Sequence, residues 1–328
     1  MPNPKKTLRR TALLTFPSHS LKASVLDEIV AAGFTDVGAG VAAESVIESQ
    51  GFSLEQGREL AVLCQQRGLG LVAFTGYQIY FPERIALEDP KRLLVTSDGH
   101  SLQKPYQQDA DRITFAEIGD VSLCPFQPKN KAWYLEQLLQ ISRWPATCEI
   151  HLNDEASLAW FGNWKMGCYC DYCRAQFREV AGADPPVERD WDDPLWYAWI
   201  EYRFDQWIAV HAEFRAEIHK VRSDIAVGQQ HSPAIPERMY NAYLYGIDLA
   251  RQVKTLDVVC TDPYHYNHAK EFNHRPHRRI LTEGVRSLMG AAYGCQVDIY
   301  TQAFMPNTLA VPMGRQDGLL EGVVPFAL

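Results

Sequence analysis

The stretch TCEIHLNDE, Thr147 to Glu155, decides how this chain is read. Cys148, Ile150 and Leu152 alternate with Glu149, His151 and Asn153, and the pattern runs on to Asp154 and Glu155. Successive side chains of a strand point to opposite faces. The apolar set should meet surrounding helices, which leaves the polar set for the axis of a barrel.

The same grammar extends along the chain in both directions. Ala12–Phe16 reads as a buried strand, followed by a helical pattern with Leu21, Val25, Ile29 and Val30 on one face and Gly33 as its stop. Thr35–Ala42 and Gly70–Tyr80 are strands two and three, separated by a helix that Ser53 and Gln56 open as a capping box. A helix from Asn130 to Arg143 leads into TCEIHLNDE. Beyond it lies a long helix, Asp193 to Asp224, striped with Trp196, Ile200, Phe204, Trp207, Phe214, Ile218 and Val221. Such a stripe is core. Ile225–His231, Leu256–Tyr266 and Arg278–Val285 complete seven strands, with a weak helix at Gly246–Lys254. Alternating strands and helices predict a parallel sheet. With 328 residues and long loops after strands, the expectation is an α/β (β/α)8 TIM barrel, one domain across residues 1–328. Insertions are expected at about 81–128 and 156–192. Val297–Phe304 is either the eighth strand or a loop strand, and in the second case the barrel is truncated before closure.

Composition narrows the function classes. The chain is 46% hydrophobic with a formal net charge of −8 and no basic stripe, so no nucleic-acid partner is expected. The run KKTLRR precedes too short an apolar stretch for a secretion signal. No segment reaches the roughly eighteen apolar residues of a membrane span. The expectation is a cytoplasmic protein whose eight cysteines serve metal binding or burial rather than disulfides.

Three of those cysteines crowd into GCYCDYCRAQFR, Gly167 to Arg178. Thiolates suit tetrahedral zinc, and a structural site is closed by four protein ligands. Cys168, Cys170 and Cys173 supply three, and Cys124, in the loop after strand three, is the best fourth. Loops after strands three and four are neighbours in a barrel. Four thiolates leave no open position for water, so the zinc would be structural. Cys64, Cys148, Cys260 and Cys295 read as ordinary buried thiols.

Barrel chemistry sits at the carboxyl ends of the strands. Those ends carry Tyr77, Asn153, Asp154, Glu155, His231, Asp262, Tyr264 and Glu283. Two carboxyls across a barrel mouth suit glycoside cleavage, one protonating the leaving oxygen and the other attacking the anomeric carbon or activating water. Alternation favours Glu155 over Asp154 as the inward group of strand four. On strand seven, Glu283 points inward with Arg279 deeper.

Cys124, the strand-four carboxylate and CYCDYCRAQF, in that order, resemble glycoside hydrolase family 42, β-galactosidases with a zinc-binding cysteine cluster. The resemblance implies a retaining barrel glycosidase with a carbohydrate substrate, β-linked and galactoside-like. It implies an acid/base directly after Asn153 and a nucleophile at Glu283. The family has Asn followed at once by Glu, whereas here Asp154 intervenes, so carry-over selects Asp154 and alternation selects Glu155. The family carries a trimerisation domain, which is expected to be absent here, and a homo-oligomer is among the expected partner states. Tyr264 would hold Glu283 ionised, while Asn153, Tyr77, His231 and Asp262 would contact sugar. Two other classes compete: a metal-dependent hydrolase using His231, His265, His268, His274 and His277, and an inactive carbohydrate-binding barrel.

Overall fold

The computed structural model describes residues 9–14, 17–41, 51–75, 81–82, 85, 88–99, 101, 120–121, 123–152, 158, 167–231, 246–261 and 295–299. Seven strands form one parallel sheet in the order β1 (Thr11–Leu14), β2 (Asp36–Gly40), β3 (Gly70–Phe74), β6 (Thr147–His151), β7 (Ala226–His231), β8 (Val258–Thr261) and β9 (Gln296–Ile299). A separate antiparallel pair, β4 (Phe81–Pro82) with β5 (Asp120–Val121), lies in the first expected insertion. The helices are α1 (Pro17–Ser20), α2 (Ala23–Ala31), α3 (Leu54–Gln65), α4 (Pro128–Ser142), α5 (Asp171–Ala181), α6 (Pro194–Val221) and α7 (Leu249–Gln252). The sheet is an incomplete (β/α) barrel: strand neighbours follow chain order, and β1 and β9 are its edges among the described residues.

Local signals explain these elements. Ser53 caps α3, its hydroxyl accepting from the Gln56 amide while the Gln56 side chain accepts from the Ser53 amide. Asp193 caps α6, accepting from the Leu195 amide ahead of which Pro194 opens the helix. Gly33 ends the α2 turn at φ 81°, a left-handed conformation that favours glycine. The α6 stripe is buried from Trp196 to Ile218, and α4 packs against it. On α2 the stripe differs from expectation. Leu26 is the buried residue, Leu21 and Ile29 pack against the core beside it, and only Val30, 41% exposed, falls off the expected face.

The seventh strand also differs. Gln296–Ile299 pairs directly with β8, Val259 opposite Val297, and fills the seat assigned from sequence to Arg278–Val285. An apolar, β-branched pair such as Val259 and Val297 suits a parallel neighbour buried on both faces. Residues 278–285 lie outside the described residues.

Inside the sheet the alternation of β6 holds. Ile150 belongs to the apolar core between sheet and helices, whereas Glu149 and His151, both wholly buried, join each other by a hydrogen bond. His151 also stands 4.7 Å from the Phe74 ring of β3, centroid to centroid. Arg9 enters from the amino-terminal side and ion-pairs with Glu149 at 2.5 Å and with Asp36 of β2 at 3.3 Å. Burial works to raise the Glu149 carboxyl's pKa, but His151 and Arg9 outweigh it and hold it below the usual carboxylate value.

That depression links stability to pH. The ion pair's contribution is present above the unfolded glutamate value of about 4.3 and is lost as pH falls through the lower folded value. Arg9→Met leaves the buried carboxylate with His151 alone. It should cost about 2 kcal/mol of urea-measured stability at pH 7, since Arg9 is itself partly exposed. The difference from wild type should shrink at about pH 3, where the carboxyl is protonated in the unfolded chain. An undiminished gap at low pH would assign the loss to packing instead.

Candidate functional site

Two constructions lie near the carboxyl edge of the sheet. The first is the cysteine cluster. The sulfurs of Cys124, Cys168, Cys170 and Cys173 all lie within 4.8 Å of one another, and all four residues are buried. The Sγ atoms of Cys124 and Cys173 are 3.5 Å apart, although the residues are 49 positions apart in sequence. A tetrahedron with zinc–sulfur bonds of about 2.3 Å has sulfur–sulfur edges of about 3.8 Å. The cluster therefore has the size and donor chemistry of a four-thiolate metal site. Among the described residues it is the only such group of three or more metal-ligating side chains.

Short-range structure holds each ligand in place. The Cys124 amide donates to the Arg92 carbonyl at 2.9 Å, and Asn130 Nδ2 donates to the carbonyls of both Arg92 and Cys124. Asn130 sits in the first turn of α4, so that helix positions Cys124. Cys170 is the residue before α5 and Cys173 lies in its first turn, which brings the two sulfurs to one end of a helix. Gln127 Nε2 donates to Cys170 Sγ at 3.5 Å. Hydrogen bonds from Cys124, Cys168 and Cys173 push the Cys170 thiol well down, while burial pushes Cys124 and Cys173 up. A cation bound there would compete with the thiol protons for the sulfurs.

An aromatic layer fastens the cluster to α6. Trp199 Nε1 donates to Tyr169 Oη, Tyr169 Oη donates to the Pro186 carbonyl, and Phe177 lies edge-on to both Trp199 and Tyr202. The Tyr169 amide donates to the Val95 carbonyl, tying the second insertion to the first. Beyond the cysteines themselves, nothing in the residues couples the two insertions.

The second construction is the interior of the barrel beneath the strand ends. His151 Nε2 meets Glu149, and its Nδ1 lies 3.2 Å from Cys260 Sγ on β8. The ring crosses over β7 at Gly228, where a Cβ would land 3.2 Å from the ring and 3.3 Å from the Val258 Cβ. Neither Cys260 nor Arg9 was singled out from sequence. Cys260 looked like any apolar-flanked thiol, and Arg9 like part of a basic run.

His231 ends β7 on the face opposite Gly228 and is wholly buried. Burial first, then His211 of α6 and His151, lower it to about 3, so it is neutral at physiological pH. Its pair of ring nitrogens has no hydrogen-bond partner in the described structure, nor has that of His211. Tyr77, Asn153, Asp154, Glu155, Asp262, Tyr264 and Glu283 lie outside the described residues, as do His265, His268, His274 and His277. No helix among the described residues is long and apolar enough to cross a membrane.

No family model matches the chain, and no curated protein matches it in sequence. Solved structures do match in shape. The β-galactosidase of the psychrophilic Marinomonas ef1 superposes with a TM-score of 0.63 at 12% identity, over 89% of this chain and 48% of that one. A GH42 β-galactosidase from G. stearothermophilus gives 0.56 at 13% identity, over 83% and 42%. The fold is a (β/α) barrel of the kind these structures share. The glycoside hydrolase domain of PgaB (BpsB) from Bordetella bronchiseptica shares it at a TM-score of 0.59 and 10% identity, over 97% of this chain and 99% of that domain. The likeness to family 42 read from the cysteines therefore holds as a distant, structural one. The chain spans less than half the length of these β-galactosidases.

Metal capacity is directly measurable. Cobalt(II) titrated into the reduced protein should give the intense sulfur-to-cobalt bands of a tetrahedral thiolate site at one equivalent per chain. Cys173→Ser should weaken or abolish them. Octahedral spectra, or bands unchanged by the substitution, would exclude the cluster as the ligand set.

Proposed function

We propose that the protein is a retaining glycoside hydrolase acting on a β-linked, galactoside-like sugar. The observation that carries this reading is the inward orientation of Glu149 and His151 on β6 within a barrel shared with glycosidases. Extending that alternation along the sequence assigns the axis-facing positions to Asn153 and Glu155, with Asp154 as the rival acid/base. Glu283 is the proposed nucleophile. It falls in the connection between β8 and β9, and that connection leaves β8 at the carboxyl edge where barrel chemistry takes place.

In this reading Glu283 attacks the anomeric carbon while Glu155, protonated, delivers its proton to the departing oxygen. Water then takes the sugar from Glu283 as Glu155 recovers the proton. Retention asks for carboxyls about 5–5.5 Å apart, and that proximity itself raises one pKa and keeps the acid protonated. Asn153, Tyr77, Asp262 and Tyr264 are proposed to contact sugar or orient Glu283, whereas His231, on the face of β7 opposite Gly228, stands on the helix side beside His211 and is not assigned to the sugar. Zinc is the proposed occupant of the four cysteines. It would carry no chemistry: Cys124, Cys168, Cys170 and Cys173 fill its coordination sphere, and their role is to pin both insertions beside the end of β6.

Aryl β-glycosides test this reading. Glu283→Ala and Glu155→Gln should each lower kcat by roughly 10²–10⁴ on the best substrate of a panel, with the fold intact by circular dichroism. Glu155→Gln should lose least on substrates with good leaving groups, which need no proton. Asp154→Asn separates the rivals: the larger of the two losses marks the acid/base. Full activity in both glutamate variants would remove the proposal.

A further inference from the structure

We propose that Cys260 is an activated thiol, a covalent modification site for small uncharged electrophiles that enter the barrel. The geometry joins three side chains in series from two strands: Cys260 Sγ to His151 Nδ1 at 3.2 Å, then His151 Nε2 to Glu149. A nucleophile, a base within hydrogen-bond reach and a third group orienting the base form the arrangement that activates thiols and hydroxyls.

The direction of each hydrogen bond follows from charge. Glu149 is paired with Arg9 and held ionised, so it can only accept. His151 Nε2 must therefore carry the proton that Glu149 receives. In the neutral ring Nδ1 is then the acceptor, and at 3.2 Å it is the nearer of two acceptors for the Cys260 sulfhydryl, the other being the Gln229 carbonyl at 3.7 Å. Arg9, three residues away in this chain of contacts, thereby sets the tautomer at the thiol. Among the described residues the other isolated thiols have no such base. Burial pushes Cys64 and Cys148 up to about 12 and Cys295 up to about 11, and no imidazole is among the groups acting on them.

Burial sets the class of reagent. Cys260 and His151 are both 0% exposed, so a bulky or charged electrophile is excluded and a compact neutral one is favoured. With a haloacetamide the step balances simply. His151 Nδ1 takes the thiol proton, a sulfur electron pair forms the bond to the methylene carbon, and halide leaves with the electrons of the broken carbon–halogen bond. Cys260 chemistry is independent of sugar cleavage.

Iodoacetamide is the probe, applied to the full chain with its metal and read by peptide mass spectrometry over time. Cys260 should alkylate roughly tenfold or more faster than Cys148 at pH 7, although Cys148 is the more exposed. Cys64, as deeply buried as Cys260, should stay unmodified over the same interval. Glu149→Gln, which keeps the volume but can donate to Nε2, should lower the Cys260 rate by roughly tenfold or more while leaving the slow rate of Cys148 unchanged. Labelling of Cys260 no faster than Cys148, or in step with Cys64 as unfolding would produce, overturns the proposal. So does a folded Glu149→Gln protein with an unchanged Cys260 rate. If that variant does not fold, the wild-type comparison among the three cysteines decides alone.

Discussion

A carboxylate with no exposed surface, Glu149, lies at the centre of the barrel, and the interior is organised around its charge. A buried, ionised carboxyl is tolerated only where partners replace water. Here Arg9 supplies a cation from the amino-terminal side and His151 supplies a ring N–H from above. Arg9 also reaches Asp36, so one guanidinium draws β2 and β6 together across the opening at the base. Once the imidazole is fixed by Glu149, its other nitrogen is committed to β8 through Cys260. Strands distant in the chain are thereby joined by polar contacts whose alternatives are costly. That gives the axis a defined arrangement where apolar side chains alone would permit several.

The outer layer obeys a different logic. Between sheet and helices the contacts are apolar, with Trp207, Phe214 and Ile218 of α6 among the most deeply buried. At one end this layer merges into the aromatic group around Tyr169, Phe177 and Trp199, which seats the cysteine-rich segment. The four sulfurs join chain regions lying before α4 and after β6. A metal there would close a loop containing both elements, and closing a long loop restricts the unfolded chain more than the folded one.

Much of this was legible in the residues. The capping box at Ser53, the apolar stripe of α6 and the four sulfurs each carry a local signature whose physical meaning does not depend on distant contacts. The two faces of β6 were legible for the same reason, since period-two alternation is a property of the strand itself. The seventh strand was not. Arg278–Val285 and Gln296–Ile299 are both short apolar runs, and only pairing with β8 distinguishes them. The role of Arg9 was equally hidden: a basic run near the start of a chain says nothing about a glutamate 140 positions later. Cys260 was hidden because its partner lies on another strand. Sequence reveals which face a side chain takes, but not what waits across the axis. The carboxylates proposed for sugar cleavage rest on that same step, from a strand's own periodicity to a meeting across the mouth.

Gly228 has a consequence for how this protein can vary. Its missing side chain is the space through which the His151 ring passes on its way to Cys260. A Cβ there would sit 3.2 Å from that ring and 3.3 Å from the Val258 Cβ, so one of them has to give by a few tenths of an ångström. Positions 151 and 228 are therefore coupled, because room for a side chain at 228 depends on how far the histidine ring at 151 can shift.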